Sequence, residues 1–406
     1  MNGRVFTRLL ARSFFLAAAL FFAPLKAAED PALFQEIGEM QASLTSITGL
    51  RFKHPVPYSV INKEQLRRYL EDRVKPHELR AEELTLKMLG MLPQDFDLRQ
   101  TAVDLVTEQA AAFYDYNKKK LFLLSAGGGS DDRIALVHEL AHALADQHFH
   151  LAKYIHEGLR SDDGSTARLA VMEGQASWLM TAYLARLTGG PLAVPDTVIE
   201  RMTRSIEESA AQYPVFAKAP PYIRASLIFP YTAGMAFQNA LYGKIGQQSF
   251  TDVFTHPPAS TQQIIHPARY LAHADPKNPS PPRISPSHDF RRLAQGSLGE
   301  LDYRVLLSQY TSQEDGNRVA AHLVGSSYLL LEHKQAKYPV LAFASTWDSE
   351  DTARQYLDLY RRVMKGKWKT YDVRSESPTR LEGLGDSGRF ELWIDGTTVN
   401  HLEGLH

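Results

Sequence analysis

Apolar residues recur at two different spacings along the chain, which predict mainly helices before residue 275 and mainly strands after it. Helical spacing, with apolar residues three or four positions apart, occurs in several segments of the first part. The predicted helices there are 31–47, 63–70, 78–92, 196–212 and 231–243. Strand-like alternation occurs at 56–61 and in a hairpin over 109–124 that turns at 115–118. The pattern therefore predicts an α+β fold.

Two longer helical patterns lie in the middle of this first part. One follows three consecutive glycines, 127–129, and runs to about residue 149, with Ser130 or Asp131 as its N-cap. The other covers about 166–187, with Asp163 or Ser165 as its N-cap. Both are long enough to hold side chains deep inside a domain.

A proline-rich segment and a change of pattern divide the chain near residue 280. Five prolines fall within 275–286, which predicts a linker. Beyond it the order of elements is β-β-α-β-β, with strands at 328–333, 340–345, 367–373 and 390–402 and a helix at 348–364. We therefore predict one domain over 28–274 and a second, small α+β domain over 287–406.

The first 27 residues have the three parts of a secretory signal peptide. Arg4, Arg8 and Arg12 precede an apolar run, and small residues follow it, which predicts cleavage after Ala27 or Ala28. A membrane anchor is the alternative, but the run is shorter than the roughly 20 residues that span a bilayer. We expect a secreted or periplasmic protein.

Composition and charge narrow the classes of ligand. The chain has 45 Lys and Arg against 46 Asp and Glu, and removal of the signal peptide takes four basic residues and no acidic one. A mildly acidic mature protein argues against nucleic acid as a partner. No later segment has 18 consecutive apolar residues, so we expect no stable membrane insertion after cleavage. Because the sequence contains no cysteine, any metal site must use histidine and carboxylate ligands.

The first long helix contains the motif His138-Glu139-Leu-Ala-His142. Residues four apart lie one turn above each other, so both imidazoles can bind one metal ion. Glu139, one position further round the helix, can reach the water that a catalytic metal activates and act as general base. The alternative is a pair of buried, hydrogen-bonded core histidines.

The second long helix offers a third metal ligand. Glu173 lies within the apolar stripe of that helix, where a carboxylate is costly to bury without a cation. Gly174 beside it allows another helix to approach closely. The alternative is an ion pair between Glu173 and an arginine such as Arg168 or Arg186. Two histidines and one glutamate form a catalytic rather than a closed structural type of zinc site.

These two motifs, HExxH and Glu-Gly-x-Ala, resemble those of the thermolysin-like (gluzincin) zinc metallopeptidases. The resemblance implies a zincin-like domain with a mixed sheet, an edge hairpin, an active-site helix and a mostly helical second lobe. It implies one Zn²⁺ per chain, bound by His138, His142 and Glu173, with Glu139 as base. The segment Ala111-Ala112-Phe113-Tyr114 resembles the edge strand on which thermolysin lays its substrate, which implies substrate binding by Ala111, Ala112 and Phe113.

The chain also resembles an uncharacterised family of secreted bacterial proteins, over about residues 45–360. The sequence motifs that carry this resemblance are HELAHALADQHF, FPYTAG and PPASTQQIIHP, together with EGQA. One departure from thermolysin is Ser177, which stands where thermolysin has an aspartate that supports a zinc histidine. Asp146 can supply that hydrogen bond instead, or can be a solvated helix residue.

Peptide hydrolysis also needs a donor that stabilises the oxyanion. Tyr231, predicted to start a helix after Pro230, and His266, which precedes a proline, are the candidates, although either can be structural. We predict an exported zinc metallopeptidase that acts on peptide or protein substrates, an endopeptidase rather than an exopeptidase. The alternative from another class is an exported binding or assembly factor with a structural or vestigial zinc site.

Overall fold

The computed structural model describes residues 36–73, 76–109, 112–124, 130–159, 161–190 and 194–406. The predicted signal peptide, Ala111 and the three glycines at 127–129 lie outside the described residues. No described helix is both long enough and apolar enough to cross a membrane.

The fold is α+β, as predicted, with helices in the majority before residue 272 and a large sheet after residue 289. The helices of the first part are α1 (Ile37–Thr48), α2 (Lys63–Arg73), α3 (Pro76–Leu89), α4 (Leu98–Gln109), α5 (Ser130–Phe149), α6 (Leu151–Gly158), α7 (Asp162–Leu187), α8 (Asp196–Ala211), α9 (Pro214–Lys218), α10 (Pro221–Ile245), α11 (Ser249–Thr255), α12 (Thr261–Ile265) and α13 (Pro267–Leu271).

A small sheet lies beside α5. It contains β1 (Tyr58–Ile61), β2 (Ala112–Asp115) and β3 (Lys120–Leu124) in the order β1-β3-β2. The predicted hairpin is confirmed, since β2 pairs antiparallel with β3, and β1 pairs parallel with β3 on the other side. The rings of Phe113 and Phe122, which are opposite in the register, stack with their centroids 4.8 Å apart. Because β3 lies in the middle of the sheet, β2 is an outer strand.

The second sheet has seven strands, more than the four predicted from the sequence. Its order is β4-β5-β6-β10-β9-β8-β7, and each neighbouring pair is antiparallel. The elements are β4 (Phe290–Gly296), α14 (Glu300–Tyr310), α15 (Gln313–Ala320), β5 (Leu323–His333), β6 (Pro339–Trp347), α16 (Glu350–Lys367), β7 (Tyr371–Ser377), β8 (Arg380–Gly385), β9 (Gly388–Asp395) and β10 (Thr398–Leu405). The β-β-α-β-β prediction was wrong in number because it did not include β4 and β8, which are short and rich in charged residues and glycine. The one strand predicted over 390–402 is also two strands, β9 and β10, joined by a turn.

The proline-rich segment 275–286 contains no helix or strand and lies along the start of β5. The Lys277 N–H donates to the Val324 carbonyl at 3.0 Å, and the Ser326 N–H donates to Asn278 Oδ1 at 3.1 Å. This segment is therefore packed against the large sheet. The division into two domains stays a prediction.

Two long helices, α7 and α10, cross in the centre of the first part. A Cβ atom on Gly174 would lie 2.1 Å from the Gly234 carbonyl carbon, and one on Gly234 would lie 2.1 Å from the Ala170 oxygen. The two backbones therefore touch directly, which confirms the close approach expected at Gly174. Only glycine at both positions permits this distance.

Two details of these helices differ from the sequence prediction. Helix α10 does not begin after Pro230 but contains it, because the buried residues on either side, Phe229 and Tyr231, keep the helix continuous despite the lost hydrogen bond. Helix α7 begins earlier than expected, and Ser161 is its N-cap, with the side chain accepting from the Gly164 N–H.

Candidate metal centre

Helices α5 and α7 bring three ligand atoms together in the interior. His138 Nε2 lies 3.1 Å from His142 Nε2 and 3.2 Å from Glu173 Oε2, and His142 Nε2 lies 3.3 Å from the same oxygen. Among the described residues, this is the one group of histidine and carboxylate side chains whose ligand atoms converge closely enough to hold a metal ion. The spacing of four on α5 and the close packing of α7 produce the convergence.

The separations fit a tetrahedral metal of the size of zinc. Zinc binds imidazole nitrogen and carboxylate oxygen at about 2.0–2.2 Å, which places two tetrahedral ligand atoms about 3.3 Å apart. The three observed separations, 3.1–3.3 Å, match that value. Two nitrogens and one oxygen also form a donor set that zinc accepts. The residues present therefore fit the group that the sequence motif implies.

The electrostatics of the group also favour a cation. Burial lowers the pKa of His138 to about 4. Burial also lowers the pKa of His142, but the adjacent Glu173 carboxylate outweighs it and raises this pKa above its ordinary value. Burial raises the pKa of Glu173, yet the two histidines overcome that effect and lower the pKa to about 2. Glu173 is therefore a carboxylate that needs a positive partner inside the protein.

The arrangement of nitrogens points the same way. A neutral imidazole has one N–H and one lone pair, and two Nε2 atoms at 3.1 Å both face Glu173. Without a cation, the group avoids lone-pair repulsion only by holding protons. The buried Nδ1 of His138 has no hydrogen-bond partner among the described residues. Two satisfied core histidines would leave no buried ring nitrogen without a partner, so that alternative does not account for the His138 Nδ1.

The arginine alternative for Glu173 is not supported by the contacts of Arg168. Its guanidinium donates to the Tyr154 carbonyl at 2.6 Å and lies over the Tyr154 ring. Arg168 is therefore engaged at the start of α7, while Glu173 faces the two histidines.

Glu139 lies next to the ligands with both carboxylate oxygens buried. Neither oxygen has a hydrogen-bond partner among the described residues. Burial raises the pKa of Glu139 to about 8, further influenced by His142, which lowers it, and Glu173, which raises it. The backbone amide of Tyr114 approaches this carboxylate without reaching hydrogen-bond geometry. A carboxylate in this state readily accepts a proton.

The structure places Asp146 beside the edge strand rather than in a hydrogen bond with a histidine. Its two oxygens accept from the Tyr114 hydroxyl and from the Leu151 N–H, both at 2.9 Å. Asp146 thus joins α5 to β2 and to the start of α6. Tyr114 was not predicted from the sequence as a site residue, although its position in the predicted hairpin could have indicated that it lies beside the helix with the HExxH motif. A supporting bond from Asp146 to His142 is not among the contacts of the described residues.

The two oxyanion candidates have very different positions. The Tyr231 ring stacks on the His138 imidazole, with centroids 6.1 Å apart, and its hydroxyl donates to Glu173. Burial first, and then the charges of Glu173 and Glu139, raise the pKa of Tyr231 well above its ordinary value. His266 instead places Nε2 3.0 Å from Glu300 Oε1, and no contact among the described residues joins it to the metal ligands. The structure brings Tyr231 into the site and leaves His266 outside it.

The predicted substrate strand lies at the site. Ala112 and Phe113 belong to β2, the outer strand nearest α5, and both are buried. The bond from Tyr114 to Asp146 fixes β2 against α5, close to Glu139. Ala111 falls outside the described residues. Substrate binding by this strand stays a prediction.

Comparison with other proteins adds little to this geometry. No protein-family model and no curated protein matches the chain. Among solved structures, the chain is similar to one from Chloroflexus aurantiacus that is described as a proposed hydrolase with a novel fold. The two are 17% identical, with a TM-score of 0.38, over 66% of this chain and 97% of that chain. A similarity of this extent supports no conclusion about family or activity.

Proposed function

We propose that the protein is an exported zinc metallopeptidase of the zincin type, secreted or periplasmic. The observation that supports it most is the convergence of His138, His142 and Glu173 on one point, with the unpartnered Glu139 carboxylate beside them. A zinc ion held by these three residues would supply Lewis-acid polarisation of the substrate carbonyl and of the attacking water.

Glu139 is the proposed general base. Its carboxylate removes a proton from the attacking water and then delivers that proton to the leaving amine. Burial raises the pKa of Glu139, and a zinc ion held beside it would lower that pKa again, which suits a group that first accepts and then releases a proton. The lack of any competing hydrogen bond among the described residues leaves both oxygens available for the transfer.

Tyr231 is the proposed oxyanion donor. Its hydroxyl stays protonated because its pKa is raised, and since a phenol has one O–H, it would turn from Glu173 to the oxyanion when substrate is bound. A protonated phenol can donate a hydrogen bond to developing negative charge. Tyr231→Phe is expected to keep metal binding and to reduce kcat.

The proposal that the enzyme cleaves internal peptide bonds depends on strand β2. An outer strand can pair with an extended peptide through its backbone and can accept chain on both sides of the cleaved bond. That arrangement favours an endopeptidase acting on peptide or protein substrates.

Glu139→Gln tests the proposal. We expect the variant to keep about one zinc per chain, measured by elemental analysis, and to lose about 10²- to 10⁴-fold in cleavage of an unbiased peptide library. Glu200→Gln, which removes an exposed carboxylate from α8, is the matched control and should cleave like the wild type. Absence of stoichiometric zinc, or equal cleavage by Glu139→Gln, would refute the proposal.

A second candidate function is supported by the burial of the site. His138, Glu139 and Glu173 are almost wholly enclosed, and His142 is only 7% exposed. An enclosed site suits a binding or assembly factor in which zinc is structural. Chelation separates the two functions: loss of cleavage that zinc restores favours the enzyme, whereas unfolding with no cleavage under any condition favours the structural role.

A further inference from the structure

Tyr114, in the outer strand β2, approaches helix α5 at two separate points. Its hydroxyl donates to Asp146 Oδ2 at 2.9 Å. Its backbone N–H approaches the Glu139 carboxylate: burial raises the pKa of Glu139, and this N–H is one of the groups that oppose the rise. One residue of the strand therefore faces two carboxylates of the helix that carries the HExxH motif.

The spacing of the two carboxylates along α5 makes this arrangement possible. Glu139 and Asp146 are seven positions apart, which is about two helical turns, or about 10 Å along the axis. Seven steps of about 100° bring the helix almost back to its starting direction, so both side chains leave it on the same side. Strand β2 packs against α5. The backbone of Tyr114 can therefore lie near one carboxylate while its ring extends to the other.

The bond between Tyr114 and Asp146 is well placed to hold the strand. Both side chains are buried, so water competes little for either group. Burial, followed by the charge of Asp146, raises the pKa of Tyr114 far above its ordinary value, so the hydroxyl stays protonated and remains a donor. The second oxygen of Asp146 accepts from the Leu151 N–H at 2.9 Å, which fixes the orientation of the carboxylate.

The opposite face of β2 is held as well. Successive side chains of a strand point to opposite faces, so Phe113 points away from the side on which Tyr114 meets Asp146. Phe113 is fully buried, and its ring stacks on Phe122 of β3. The strand therefore cannot move towards or away from α5 without disturbing either the hydroxyl bond or the ring contact.

We propose that Tyr114 is a positioning residue, which sets the distance between the outer edge of β2 and the Glu139 carboxylate. This inference rests on the proposed function, in which β2 binds the substrate and Glu139 is the general base. If an extended peptide pairs with β2, the position of that strand determines where the cleaved bond lies relative to Glu139. A displacement of about 1 Å at such a place can slow catalysis about 100-fold.

Tyr114→Phe removes the hydroxyl and keeps the ring and the backbone. We expect the variant to keep its zinc and to lose about tenfold or more in kcat per zinc-loaded molecule. KM should change less than about threefold, because the peptide still pairs with the backbone of β2. Tyr270→Phe is the matched control, since it removes a buried hydroxyl that donates to Asp252 at 3.0 Å, and it should keep the kcat of the wild type. A merely structural hydroxyl would lower the melting temperature and leave kcat per zinc-loaded molecule unchanged.

Asp146→Asn tests whether the hydroxyl acts through Asp146. Asparagine leaves one acceptor oxygen for two donors, the Tyr114 hydroxyl and the Leu151 N–H. If the two side chains act as a pair, the double variant of Tyr114→Phe and Asp146→Asn should lose no more in kcat than the more damaging single variant. Losses that multiply would contradict the proposal.

A second measurement does not depend on catalysis. With isotopic nitrogen only in the 18 tyrosines, the amide NMR signal of Tyr114 is the one that Tyr114→Phe removes. Glu139→Gln should shift this signal and leave that of Tyr270 unchanged. An unshifted Tyr114 signal, or a wild-type kcat in Tyr114→Phe, would overturn the proposal. A wild type that cleaves no peptide would refute the proposed function instead, and the amide signal would still decide whether Tyr114 faces Glu139.

Discussion

The contact between α7 and α10 gives a strong test of how the group His138, His142 and Glu173 is held in place. Gly174→Ala adds one methyl group at a point where a Cβ atom would lie 2.1 Å from the Gly234 carbonyl carbon. Two carbon atoms in contact need about 3.5 Å, so the helices would have to move apart by about 1.4 Å. The atoms nearest to this Cβ are all backbone atoms of Gly234, so no side chain can rotate away.

Two opposing effects determine the stability of this variant. Alanine in place of glycine inside a helix favours folding by about 1 kcal/mol. Overpacking in a close-packed interior costs about 1–3 kcal/mol and more when backbone must shift. We expect the second effect to win because backbone must shift here, with a net loss of about 2 kcal/mol or more in the free energy of unfolding. Because Glu173 immediately precedes Gly174, zinc affinity should also fall, by about tenfold or more.

Urea unfolding and a competitive zinc titration measure the two effects. Gly243→Ala is the control, since it lies in α10, has no atom near its Cβ position, and should gain stability from helix propensity alone. If Gly174→Ala is as stable as Gly243→Ala and binds zinc as tightly as the wild type, the backbone contact does not position Glu173.

Two further predictions concern buried charges elsewhere. Lys367 donates to Glu403 at 2.6 Å inside the protein. Lys367→Ala should lower the free energy of unfolding in urea by about 3–5 kcal/mol, because it leaves a buried carboxylate unpaired. Arg354→Ala, which breaks an exposed ion pair, should change it by less than about 0.5 kcal/mol. Equal losses would refute this. Burial raises the pKa of Asp163 to about 6. The folded protein therefore holds this proton at a pH where the unfolded chain has already lost it. Because of this residue, the protein should lose up to about 3 kcal/mol of stability as pH rises from 4 to 7. Asp163→Asn should remove that part of the pH dependence in urea unfolding, and an unchanged slope would contradict it.

The three proposed metal ligands could be predicted from the sequence because the patterns that mark them are local. His138 and His142 need only a helix to share a face, and α5 ends at Phe149 as predicted. Glu173 was detectable because it interrupts an apolar stripe, and Gly174 because a glycine inside a buried helix often marks the close approach of another backbone. Each inference used residues within one or two turns of each other.

Other features depend on contacts that no local pattern records. Pro230 signals a helix end, but tertiary packing keeps α10 continuous through it. His266 precedes a proline in a capped turn, yet its partner is Glu300, more than thirty residues later. Glu82, Asp162 and Asp302, which line one small cavity, each resemble ordinary solvated helix residues in the sequence. Only the fold brings Glu82 and Asp302 to the same place.

Helix α7 also constrains how the chain can change in length. Asp162 and Glu173 are eleven positions apart, which is about three helical turns and about 16 Å, so their side chains leave the helix in nearly the same direction. Deleting or inserting one residue between them would rotate Glu173 by about 100° relative to Asp162, which accepts a hydrogen bond from the Tyr328 hydroxyl. Homologous chains can therefore vary in length before Ser161 or after Leu187 but must keep this spacing if Asp162 is to bond with Tyr328 while Glu173 faces the histidines.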